Sequence, residues 1–198
     1  MSLRRVFPLG AHELRNYPTI RKEISIVPVL IGAINKEKEE TFGRILAPYL
    51  ASEDTFFVVS SDFCHWGTRF AYTFYYPRHP PGPNPPVRLS RSAALPREMS
   101  TFRIHESIYA LDREAMELLT LPPSTASKAH VLFAEYLART KNTICGRHPI
   151  GVLLGALTVL QDEHTKSPCL QWVRYEQSNQ CLTIKDSSVS YASAYIAF

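Results

Sequence analysis

The run Ser60-Ser61-Asp62-Phe63-Cys64-His65-Trp66-Gly67 sets a carboxylate, a thiol and an imidazole directly after the apolar segment Phe56-Phe57-Val58-Val59. A buried strand ending in such residues delivers polar chemistry to the carboxyl edge of a sheet, where open α/β folds place their sites. His65 reads as a proton-transfer group or soft-metal ligand, with Asp62 three residues earlier to fix its orientation. The plainer alternative is a loop histidine satisfied by backbone. Trp66 and Gly67 suit a rigid wall and a tight turn. A second segment, Asn142-Thr143-Ile144-Cys145-Gly146-Arg147-His148-Pro149, again joins a cysteine to a histidine, now at the mouth of a helix. A helix N-terminus and two potential cations, Arg147 and His148, favour the Cys145 thiolate, the form that binds metals or attacks electrophiles. The alternative is a buried structural cysteine. A third polar run, Tyr175 to Cys181 followed by Asp186-Ser187-Ser188-Val189-Ser190-Tyr191, suits anion or substrate contact, and equally suits ordinary turn chemistry. Cys64, His65, Cys145 and His148 have the ligand types of a zinc site, but neighbours in sequence rarely both reach one ion. His12, His79, His105, His130 and His164 read as solvated surface.

Positioning these residues requires a sheet and its covering helices. Glu23 to Ile31 is β-branched and apolar, the pattern of a strand covered on both faces, with Pro28 demanding an edge or a bulge. Asn35 is the expected N-cap of a helix carrying Phe42, Ile45, Leu46 and Tyr49 on one face, which Pro48 should kink or end early. Thr55 to Val59 completes a β-α-β opening. Pro77 to Pro96, with seven prolines, is a loop insertion of polyproline character, a spacer by default. Beyond it, Ile104, Ile108, Leu111, Ala115 and Leu118 recur at helical spacing after a possible Thr101 cap. Pro122-Pro123 ends that helix, and Ser124 to Arg139 forms another, burying Val131, Leu132, Tyr136 and Leu137. A third, apolar nearly all round, has Pro149 in its first turn and runs to about Gln161. Strands at Leu170 to Gln177 and Ser188 to about Ile196 close the chain. The expected fold class is α/β, a mixed central sheet with helices on both faces.

With 198 residues, 45% of them hydrophobic, and a formal charge of +4, the chain can bury a core. No basic stripe interleaved with aromatics argues for nucleic acid. The longest apolar stretch, Ile150 to Leu160, is far short of the ~20 residues a membrane span needs. Four cysteines without a C-x-x-C spacing read as free thiols of a reducing compartment, hence a cytoplasmic place, with the nucleus also open. Residues 1–22 form a leader without clear period, and 23–198 a single domain.

Four runs together resemble the Memo family, named for mediating receptor-driven cell motility: I-V-P-V-L-I-G-A (Ile26 to Ala33), F-V-V-S-S-D-F-C-H-W-G (Phe57 to Gly67), N-T-I-C-G-R-H-P-I-G-V-L-L (Asn142 to Leu154) and D-S-S-V-S-Y-A (Asp186 to Ala192). The resemblance implies the three-layer sandwich of class III extradiol ring-cleaving dioxygenases, with a metal pocket at the strand ends. It implies Cys145 as metal ligand, in the place of the dioxygenase carboxylate, and His65, with Asp62, as the proton-moving group. Copper or iron is the implied cofactor, and redox or signalling the implied role. Phosphotyrosine peptides are the implied partners, docking on Arg147, His148, Ser187, Ser188 and Trp66 in the alternative reading as a non-catalytic adaptor. The family's two metal-binding histidines belong to an N-terminal half without counterpart here. A truncated form with missing N-terminal strands and an incomplete metal site is therefore expected, leaning away from an enzyme.

Overall fold

A computed structural model describes residues 25–79, 85–90, 92 and 96–198. The chain divides into two units, residues 1–30 and 31–198. The leader expected at 1–22, with His12, lies outside the described residues, as do residues 23 and 24 of the first expected strand.

Helix α1 spans Lys36–Ala51. Asn35 caps it as its sequence demands, Oδ1 accepting the Lys38 N–H at 3.0 Å. Pro48 is tolerated within the last turn, and the helix stops three residues later. The face that packs differs from the one its apolar residues suggest. Phe42, Ile45 and Tyr49 are exposed, while Glu39, Gly43 and Ala47 are buried. Small residues decide this. The facing helix α4, Arg147–Asp162, offers Gly151, Gly155 and Ala156, so the two backbones come into contact. A Cβ on Gly43 would stand 2.5 Å from the Ala156 nitrogen and the Gly155 carbonyl carbon.

That close seam carries a buried carboxylate. Glu39 accepts from His130 Nε2 at 2.7 Å and from His148 Nδ1 at 2.6 Å, tying α1 to α3 (Ala126–Thr140) and to α4. Ionised Glu can only accept, so each facing ring nitrogen carries its proton. Burial opposes the charge, but the two imidazole hydrogen bonds and their Coulomb attraction outweigh it and hold the carboxyl below its ordinary range. His130 is therefore a buried partner rather than solvated surface.

Helix α2, Ile104–Leu119, is amphipathic with Ile104, Ile108, Leu111 and Ala115 inward, as its spacing requires. Its cap falls at Arg103 rather than Thr101, the Arg103 N–H being taken up by Glu106 Oε2 at 2.6 Å. In α3, capped by Thr125, the inward set is Ala129, His130, Phe133 and Tyr136, and Val131 is exposed. Strands β4 (Cys169–Gln177) and β5 (Ser188–Ala197) pair antiparallel, with a bulge between Trp172 and Arg174. Strand β1 (His65–Trp66) adds to the other side of β5, giving the order β1-β5-β4. Strands β2 (Phe74–Tyr75) and β3 (Val87–Arg88) form a second, two-stranded sheet whose far strand lies within the expected 77–96 insertion. The fold class is thus α/β, and every pairing among the described residues is antiparallel. The core joins Phe63 and Trp66 to Tyr75, Ile104, Leu111, Phe133, Tyr136 and Ile144.

Two expected strands do not form. The described part of the first, residues 25–31, is without strand structure and Leu30 is 99% exposed. Thr55 to Val59 is likewise unpaired, with Phe56 90% exposed and Val58 79%. Composition is not sufficient for a strand. A ladder needs a neighbour to exchange backbone hydrogen bonds, and none of the described residues provides one here.

Two outcomes follow from the α1–α4 seam. Gly43→Ala should cost about 1–3 kcal/mol in urea denaturation, because the methyl meets backbone that cannot rotate away. Glu39→Gln should cost about 3 kcal/mol, since one imidazole N–H would then face an amide N–H. The depressed Glu39 carboxyl stabilises the fold fully above its unfolded value, about 4.3, and this contribution is lost as pH falls through the lower native value. Acid titration of stability should therefore be shallower in Glu39→Gln than in the parent.

Candidate metal centre

Residues 61–66 form an extended segment held on both sides. On one side, Phe63 N–H donates to the Ser190 carbonyl at 2.8 Å, and Ser190 N–H donates to the Cys64 carbonyl at 3.0 Å. On the other lies the loop before α4. Asp62 N–H donates to Cys145 Sγ at 3.0 Å, and Cys145 N–H returns a bond to the Asp62 carbonyl at 3.2 Å. Thr143 Oγ1 accepts the His65 N–H at 2.7 Å and lies 3.1 Å from the His65 carbonyl. Ser61 Oγ accepts the Gly146 N–H at 3.0 Å. A Cβ on Gly146 would be 2.4 Å from that of Ser61, so only glycine permits the crossing.

The crossing brings three side chains together. Asp62, His65 and Cys145 each present a ligand-type atom, and all three atoms lie within 4.8 Å of one another. Among the described residues this is the only such cluster. His65 Nε2 stands 3.5 Å from Asp62 Oδ2, too far for a good hydrogen bond. That nitrogen is buried and has no hydrogen-bond partner. A buried imidazole nitrogen without a partner is costly unless something else binds it. Cys145 is exposed, so the cluster lies at the surface on that side. Sulfur, imidazole nitrogen and carboxylate oxygen form a donor set suited to a transition ion. Bonds of about 2.0–2.3 Å would place such donors about 3.5 Å apart, the separation already found between His65 Nε2 and Asp62 Oδ2. The residues present fit a metal.

The ring of His65 leans on Phe70, centroids 5.3 Å apart. Gly67, at φ 125°, makes the expected turn, and a Cβ there would strike the Asp186 carbonyl oxygen at 2.8 Å. Trp66 is fully buried, its indole N–H donating to the Phe74 carbonyl at 2.8 Å, so it is core rather than pocket wall. Arg147 bends back to the Ile144 carbonyl at 3.3 Å, and His148 is engaged by Glu39. Ser188 is buried and its Oγ accepts the Asn179 N–H at 3.2 Å, while the Ser187 carbonyl accepts Asn179 Nδ2 at 3.2 Å. Asp186 accepts from the Leu182 and Thr183 N–H groups, which hold its carboxyl below the ordinary range. Residues 179–188 of this third polar run make turn contacts.

Like Glu39, one residue beside the cluster carried no mark in the sequence reading. Asp112, fully buried on α2, accepts from Asn142 Nδ2 at 3.0 Å, Tyr175 OH at 2.9 Å and Ser190 Oγ. Burial pushes its carboxyl up to about 6, against the lowering effect of those hydrogen bonds. Its signal was available: a carboxylate on the inward face of an amphipathic helix must be paired.

A family model described as "Memo-like protein" matches residues 12–195. "Protein MEMO1" of Homo sapiens and of Mus musculus are each 41% identical over 174 residues, covering 87% of this chain and 48% of theirs. "MEMO1 family protein MHO1" of Saccharomyces cerevisiae is 33% identical over 204 residues, 98% of this chain and 58% of that one. The chain spans about half the length of the curated relatives it matches. A match over nearly all of the chain, carrying the segments that build the Asp62–His65–Cys145 cluster, places this protein in the Memo family.

Proposed function

We propose that this chain is a metal-associated redox or signalling protein of the Memo type, holding a copper or iron ion through Cys145 Sγ, His65 Nε2 and Asp62. The observation that carries the reading is the buried, unpartnered His65 Nε2 facing a carboxylate and a thiol. A bound ion of this kind supplies one-electron chemistry. The protein's own part is to hold the donors. Cys145 contributes the soft ligand, and backbone contacts on both flanks fix the spacing. When no ion occupies it, the same Nε2 can instead hold a proton, with Asp62 Oδ2 beside it to orient the ring. No turnover reaction is part of the proposal. The link to cell motility and the cytoplasmic place rest on family membership and free cysteines. Among the described residues no helix is long and apolar enough to cross a membrane.

Docking of phosphotyrosine peptides is the second reading and draws less support. Its residues Arg147, His148 and Ser188 direct their polar atoms to Ile144, Glu39 and Asn179, and Trp66 is out of reach in the core.

After anaerobic reconstitution with copper(I) or iron(II) and desalting, elemental analysis should find metal near equimolar with the chain. Cys145→Ala should bind it roughly ten-fold more weakly or worse while keeping the parent's circular dichroism. Equal retention by parent and variant, or none by either, contradicts the reading.

A further inference from the structure

Behind the three donor side chains lies a buried polar network that none of the proposed ligands requires for its own hydrogen bonding. Asp112 is its hub, and two arms leave it. The first runs through Asn142, whose two amide hydrogens go to Asp112 Oδ1 at 3.0 Å and to the Tyr136 hydroxyl at 2.7 Å. Asn142 Oδ1 then accepts the Thr143 N–H at 2.7 Å, and the Thr143 hydroxyl contacts both the N–H and the carbonyl of His65. The second arm runs from Asp112 Oδ2 to the Ser190 hydroxyl, which also lies 3.3 Å from the Cys64 carbonyl. The Ser190 backbone N–H meets the same carbonyl.

These arms grip the two segments whose crossing makes the cluster. One fixes the loop that leads into Cys145 and clamps His65 at both of its peptide groups. The other fixes residue 64 against β5. Apolar packing around Phe63, Trp66 and Ile144 keeps the segments together, but dispersion is weakly directional and does not set a donor's angle. Hydrogen bonds do. A site held even about 1 Å too loosely loses function.

Resting on the metal reading above, we propose that Asp112 is a positioning residue, setting the Cys145–His65 geometry through Asn142, Thr143 and Ser190. The carboxylate touches neither ion nor reacting atom. It orients the groups that do.

The test uses the 198-residue chain, cobalt(II) as a spectroscopic probe, and iodoacetamide with mass-spectrometric readout of Cys145 as a metal-free probe. In Thr143→Val, which keeps the side chain's shape and removes only the clamp, cobalt binding should weaken roughly ten-fold or more. Its thiolate-to-cobalt charge-transfer band should shift, and Cys145 should alkylate at a different rate, with circular dichroism unchanged. Asp112→Ala should do the same. Asp112→Asn should restore parental behaviour, since its Oδ1 still accepts from Asn142 while the Tyr175 and Ser190 hydroxyls can turn to accept from the new amide. If Asp112→Ala does not fold, Thr143→Val and Asp112→Asn decide the matter alone. Thr143→Val with parental affinity, band and alkylation rate overturns the proposal. A parent chain that binds no cobalt defeats the metal reading instead. The alkylation rate then decides positioning, a changed rate in Thr143→Val upholding it and an unchanged rate overturning it.

Discussion

The structure turns on a reciprocal contact between residues 83 apart: Asp62 N–H on the Cys145 sulfur, and Cys145 N–H on the Asp62 carbonyl. It joins the segment that carries the thiol to the one that carries the imidazole, beside the Thr143–His65 and Ser61–Gly146 bonds. With it in place, the segment 61–66 acts as a shared strand, bonded to β5 on one flank and to the loop before α4 on the other. Both flanks are then committed, and the side chains of Asp62, His65 and Cys145 are left to meet one another. The requirement for glycine at 146 has the same origin, since any side chain there would part the segments at Ser61.

Rigidity around this contact comes from polar groups more than from bulk. Two buried carboxylates organise the helices. Glu39 locks α1 to α3 and α4 through His130 and His148, and Asp112 joins α2 to β4, β5 and the loop at Asn142. They titrate in opposite directions for a clear reason. Glu39 receives two imidazole donors that can be cationic, which overcome its burial, whereas the partners of Asp112 are neutral and do not. Each sits where an apolar residue would have packed at lower electrostatic cost, and each gives direction that an apolar residue lacks.

Much of this was legible in the residues. The cap at Asn35, the helical spacing from Ile104, Pro149 in the first turn of α4 and the two closing strands all follow from local chemistry, which short-range rules describe. The meeting of Cys145 with His65 was accessible only through resemblance to a family, because no local rule relates positions so distant. Where sequence reasoning failed, the decision was tertiary. The apolar face of α1 lost to the face with Gly43 and Ala47, because small residues there and at Gly155 and Ala156 of α4 let the backbones approach more closely than Phe42 or Ile45 would allow. Thr55 to Val59 has a strand's composition and no partner among the described residues. His148 looked like a ligand-facing cation until Glu39, more than a hundred residues away, claimed its ring nitrogen.

X-ray absorption at the copper or iron edge of the reconstituted chain tests the convergence most directly. The account predicts one sulfur scatterer at about 2.3 Å together with an imidazole pattern, the sulfur disappearing in Cys145→Ala and the imidazole in His65→Ala. A coordination shell of oxygen and nitrogen alone, unchanged by either substitution, would contradict it.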